Sequence, residues 1–227
     1  MINPIVRLEG ARLLKKWPWF LGLALFSFGL AQAMTIEPAT TSTRNYIARV
    51  LIGGCYTNVI AFGMVMAVIS GASLATERNN GTILFLCRLP VTRSRIYWSK
   101  AVFLFLVGGT LLIVFRGIIT LNSLWSDSDY LAKELSRMPS FWWFLPSYLL
   151  IVAVGICGSG MITNPATSAF LAFLSPLALG ILLAYIRYES AWLSEIPLLP
   201  IFGCVATVFA LACLTLGGLQ FCSTEDG

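Results

Sequence analysis

Six uninterrupted apolar runs, at about 17–34, 51–74, 101–124, 141–162, 166–187 and 196–219, constrain this chain more than any other feature of it. Each is close to the roughly 20 apolar residues that a helix needs to cross the hydrocarbon core of a bilayer. Transmembrane β-strands would instead alternate apolar and polar residues over about ten positions, so these runs exclude a barrel. The overall content agrees: 58% of residues are hydrophobic and 11% charged, with a mean hydropathy of +0.83, far from the balance of a water-soluble domain. Six spans and their connections use up 227 residues, which leaves no room for a soluble catalytic domain. The expected fold is an all-α membrane protein, residues 1–227 forming a single transmembrane domain built as a six-helix bundle.

Orientation follows from the lysines and arginines, which concentrate in short cytoplasmic loops. Arg7, Arg12, Lys15 and Lys16 precede the first run, and Arg78, Arg88, Arg93, Arg95 and Lys100 lie between the second and third, so nine of fifteen basic residues fall in two segments. Both segments are therefore expected in the cytoplasm, and both termini with them. Segments 35–50 and 125–140 are then outside. The latter mixes Asp127, Asp129 and Glu134 with Lys133 and Arg137 and has no positive bias. Before the first run, Ile2, Val6, Leu13 and Trp17 share one helical face and the basic residues lie mostly opposite, although Ile5 and Leu8 fall off the stripe. Such a pattern suits an elbow helix over 1–16 that lies in the interface and enters the membrane at Trp17-Pro18-Trp19. A second reading stays open: a basic stretch, an apolar run and "AQA" at 31–33 also imitate a secretory signal, although the run exceeds the usual 7–15 residues.

Catalytic and metal chemistry find few candidates. There is no histidine, no CxxC pair, and the six cysteines are scattered, with only Cys87 in a polar segment. The usual imidazole and thiolate clusters cannot be assembled, and no metal site is expected. Gly155, Gly158, Ser159 and Gly160 in the fourth run read as small residues that admit a neighbouring helix, since a phosphate cradle would need a strand before and a lysine after. "TNPATSA" at 163–169 reads as a tight turn, with Asn164 as N-cap and Pro165 at the first helical position. Arg116 is the one charge well inside a run. Two readings remain: a long stem snorkelling to the headgroups or pairing structurally, or a charge on a substrate pathway.

The most polar stretch, "ATERNNGTILFLCRLPVTRSRIYWSK" at 75–100, is the cytoplasmic connection between the second and third spans. After the Asn79-Asn80-Gly81 break, "GTILFLCRL" offers a short amphipathic helix. Pro90 ends it by disfavouring helix at Leu89, and Thr92 caps a helix that runs through "RSRIYWSK" into the third span. This segment is either a docking element or a basic connector that enforces topology.

The same stretch resembles the first cytoplasmic loop of the ABC-2 type permeases, the membrane subunits of ATP-binding cassette exporters. The likeness falls on Glu77, Gly81, Thr82, Leu89, Pro90, Arg93 and Lys100; Cys87 and Arg88 depart from it. The family plan, an interfacial elbow and six spans, matches the layout. The resemblance implies a transport subunit that does not hydrolyse ATP, in accord with the absence of a G-x-x-x-x-G-K-[ST] loop. It implies ATP and Mg on a separate ABC ATPase, present in two copies, and a second permease subunit, identical or related. It also implies a cytoplasmic coupling helix between spans two and three, a place in the inner (cytoplasmic) membrane with no nucleic-acid partner, and transport outward. The docking residues it suggests are Glu77, Arg78, Gly81, Thr82, Phe85, Arg88, Pro90 and Arg93. A secondary transporter, or another multi-span protein without an ATPase, is the alternative. It would be expected to show paired ionisable residues or interrupted helices near the midplane.

Overall fold

The computed structural model describes residues 43–79, 92–125, 143–162, 164–189 and 197–223, together with Pro18 and Gly22. All of its described elements are helices: α1 (Thr43–Ala72), α2 (Ala75–Asn79), α3 (Arg93–Trp125), α4 (Phe144–Met161), α5 (Pro165–Glu189) and α6 (Leu198–Ser223). Five stretches are long and apolar enough to cross a membrane: Gly53–Glu77, Arg93–Ile118, Phe144–Met161, Pro165–Glu189 and Leu198–Ser223. They correspond to the second to sixth apolar runs. The expected first span, 17–34, and the elbow, 1–16, lie outside the described residues apart from Pro18 and Gly22.

The helix boundaries have local causes. Asn164 Oδ1 accepts from the Ala166 amide at 3.0 Å, and Pro165 opens α5 where a missing N–H costs nothing. Thr92 stands just before α3, and its carbonyl takes the Ile96 amide at 3.2 Å to close the first turn. Pro176 lies inside α5 and cannot donate to the carbonyl of Ala172. The Ser175 hydroxyl donates to that oxygen instead, at 2.8 Å, so no backbone acceptor is abandoned where water is scarce. Other hydroxyls and amides also bond back to their own helix: Thr57 to Gly53, Asn58 to Gly54, Ser159 to Ile156.

α4 is the hub and packs against α1, α3, α5 and α6. Between spanning helices there is little hydrophobic driving force, so close backbone approach and interhelical hydrogen bonds decide where they meet. Two such seams meet on α4. At one, Gly155 faces Ser70 of α1 so closely that any side chain would overlap it, and the Ser168 hydroxyl of α5 donates to the Gly155 carbonyl at 3.1 Å. Gly71 of α1 sits against the Ala169 backbone, where an added methyl carbon would stand 2.5 Å from the amide nitrogen. At the other, Gly217 of α6 lies where a methyl carbon would stand 2.9 Å from the Cys157 Cα. Gly155 and Gly158 are thus packing residues, as read from the sequence, a methyl carbon on Gly158 standing 2.6 Å from the Ser168 hydroxyl; Ser159 is fully buried, and Gly160 has ordinary clearance. Facing α3, Tyr148 of α4 donates its hydroxyl to the Leu104 carbonyl at 2.6 Å and stacks on Phe62 of α1. α5, in contrast, exposes Phe170, Leu177 and Ile181.

Candidate functional site

The face of α3 that enters the bundle is set by Ile96, Tyr97, Lys100, Ala101 and Leu104, which recur at i, i+1, i+4, i+5 and i+8 and are all buried. Lys100 is therefore drawn into the interior by its neighbours on the stripe, despite its charge. Across from it, α1 ends at Ala72, the chain turns at Ser73 and Leu74, and α2 begins at Ala75. That short break turns the Glu77 carboxylate onto α3. Lys100 Nζ lies 2.7 Å from Glu77 Oε2, with the two residues 3% and 5% exposed. The same ammonium donates to the Ser73 carbonyl at 3.0 Å. A carbonyl at a helix end has no intrahelical partner, so this bond satisfies an acceptor that burial would otherwise leave costly. Ser73 further ties α1 to α4, its hydroxyl lying 3.5 Å from that of Ser159.

The result is a buried polar knot at the end of the bundle where the 75–100 segment leaves and rejoins it. Of the residues expected to dock, Glu77 belongs to this knot, so its carboxylate faces the chain's own α3. Arg93 is half-buried at the first position of α3. Arg78 lies in α2, and its side chain is outside the described residues, as are Gly81, Thr82, Phe85, Arg88 and Pro90. Arg116 is exposed on α3, nine residues before its end at Trp125, or about 13 Å at 1.5 Å per residue. No cluster of three or more Cys, Asp or Glu residues able to hold a metal occurs among the described residues.

Sequence reasoning did not assign Lys100 a partner. Its signal was present in the helical spacing from Ile96 to Leu104, which places Lys100 on the same face as four apolar residues.

Five apolar spans with a polar knot at one end define a multi-pass membrane protein. The family described as ABC-2 family transporter protein matches residues 12–187, more than three quarters of the chain, and the protein belongs to that family. No curated protein and no solved structure matches it.

Proposed function

We propose that this chain is the transmembrane subunit of an ATP-binding cassette exporter, working with a separate ATPase that binds and hydrolyses Mg-ATP. The observation that carries the reading is the family match, whose range, 12–187, takes in the 75–100 segment and the spans on either side of it. In this reading two permease chains, identical or related, sit over two ATPase subunits in the inner membrane. Both termini and residues 75–100 face the cytoplasm, and the N-terminal elbow and first span complete a six-helix bundle. The coupling helix lies in the 75–100 loop, in the stretch "GTILFLCRL" at 81–89, with Phe85 as its anchor and Arg78, Arg88 and Arg93 setting register against the ATPase.

The geometry around the loop supports this division of labour. α3 runs without a break for 33 residues from Arg93, about 50 Å of helix against a hydrocarbon core of about 30 Å. A push on the loop thus reaches the membrane through a rigid rod.

The test is to look for an ABC ATPase reading frame beside this one and to co-express the two proteins. The two should co-purify, and the chain alone should hydrolyse no ATP. Phe85→Ala, by removing an anchor worth about 2 kcal/mol or more, should weaken the complex by roughly thirtyfold while membrane insertion is unchanged. Wild-type chain that never associates with the ATPase, or that hydrolyses ATP by itself, would overturn the reading.

A further inference from the structure

We propose that Glu77 and Lys100 form a clasp that holds the two ends of the 80–91 segment in one register, and that this clasp positions the segment for coupling. The inference rests on the reading of that segment as the element that meets the ATPase, and it assigns Glu77 and Lys100 the role of positioning residues.

Three observations carry it. The pair brackets the segment, one partner on α2 before it and the other on α3 after it, separated by 2.7 Å. Both residues are almost wholly buried, so neither presents its charge to a partner on the surface. Lys100 also holds the Ser73 carbonyl at 3.0 Å, so a single ammonium fixes the end of α1 and the start of the exit to the loop.

Stability is a poor explanation for such a pair. Removing two charges from water is costly, and well-packed apolar residues of similar volume commonly replace a buried ion pair with no loss or with a gain. Apolar contacts, however, are non-directional and tolerate sliding of one helix along another. An ammonium that must meet a carboxylate and a carbonyl together has one satisfactory position. The clasp therefore supplies register, at the point where a small displacement of α2 against α3 would shift the whole loop.

The deciding variant is Glu77→Met with Lys100→Met, which keeps volume and removes both charges. In the isolated full-length chain, reconstituted in phosphatidylcholine nanodiscs, its melting temperature should equal or exceed wild type. The initial rate of tryptic cleavage after Arg88 should rise at least fivefold. In the complex with the ATPase, the change that this chain makes in the rate of Mg-ATP hydrolysis should fall at least tenfold while complex formation persists. A second arm avoids any comparison between differently folded proteins: Glu77→Cys with Lys100→Cys on a cysteine-free background, assayed reduced and then bridged by a short bis-thiosulfonate reagent. Bridging should restore slow cleavage and coupling. Wild-type cleavage and coupling in the Met pair, or identical behaviour of the reduced and bridged Cys pair, would overturn the clasp. Because the cleavage measurement needs no ATPase, failure of the clasp and failure of the transporter reading are separable.

Discussion

Two adjacent glycines on α3 should respond to the same substitution with opposite signs. A methyl carbon on Gly108 would overlap the ring and hydroxyl of Tyr148, whereas one on Gly109 would meet nothing within 4 Å. Tyr148 is 4% exposed, donates to the Leu104 carbonyl at 2.6 Å and stacks on Phe62. Gly108→Ala must push the ring aside, which loses a buried hydrogen bond worth about 1 kcal/mol and overpacks the α3–α4 contact at about 1–3 kcal/mol. Relief of glycine's poor helix propensity returns about 1 kcal/mol, leaving a net loss of about 1–3 kcal/mol. Gly109→Ala keeps the propensity gain and has no clash, so it should stabilise by about 1 kcal/mol. For a chain of this size each kcal/mol corresponds to about 2–4 °C in melting temperature.

The assay is thermal unfolding in detergent at a fixed scan rate, with each glycine variant made in the wild-type and Tyr148→Leu backgrounds. Without the aromatic ring, Gly108→Ala should become as benign as Gly109→Ala. The cycle then yields a coupling of about 2–4 kcal/mol, well above the few tenths expected of independent sites. Equal effects of Gly108→Ala in the two backgrounds would refute the argument, since the whole cost is attributed to Tyr148.

Gly71→Ala should destabilise by about 1–3 kcal/mol and resist rescue by trimming side chains, because the methyl would meet the Ala169 backbone rather than a movable group; the same melting measurement reads it. Asn164→Ala should cost about 1 kcal/mol by removing the 3.0 Å cap on the Ala166 amide, and Asn164→Asp should retain most of it. On a cysteine-free background, a cysteine at position 80 should react with a membrane-impermeant maleimide only after the cells are opened, and one at position 127 in intact cells. The reverse pattern would invert the proposed orientation.

Much of this architecture is legible from hydropathy alone, because the bilayer demands about 20 apolar residues per crossing and five runs of that length became five helices. The helix starts after Thr92 and at Asn164-Pro165 were legible too, the second with its side-chain cap in place. The start of α1 was not. The helix begins at Thr43, whereas the apolar run begins near 51, since Arg44, Asn45 and Arg49 lower the hydropathy without breaking a helix. Hydropathy reports the depth of a residue in the membrane; helix continuity depends on the backbone. The Glu77–Lys100 contact was hidden for a different reason. Five basic residues stand between the second and third spans, and choosing the one that meets Glu77 requires knowing both the turn at Ser73–Leu74 and the face of α3 that is buried. Only the second is written in local spacing. Most of the expected docking surface, from Gly81 to Pro90, lies outside the described residues, so the site is resolved at its base.

The polar knot bears on how motion would travel under the proposed coupling. If α1 and α3 alone carried a push from the loop, they would have to slide against α4. Yet Lys100 ties α3 to the end of α1 and to α2, Ser73 reaches Ser159 of α4, and Tyr148 of α4 is bonded to the α3 backbone. Gly155 and Gly71 bring α1 into backbone contact with α4 and α5 at the same level. Packed helices joined by interlocked small residues and interhelical hydrogen bonds shift as a body more readily than they shear. Ser168 of α5 bonds the Gly155 carbonyl and Gly217 of α6 sits on Cys157, so under the proposed coupling a displacement passed on from the loop would move all five spans as one body. Relative motion is then cheapest outside that body, where α5 and α6 expose large apolar side chains such as Leu177, Ile181 and Val208.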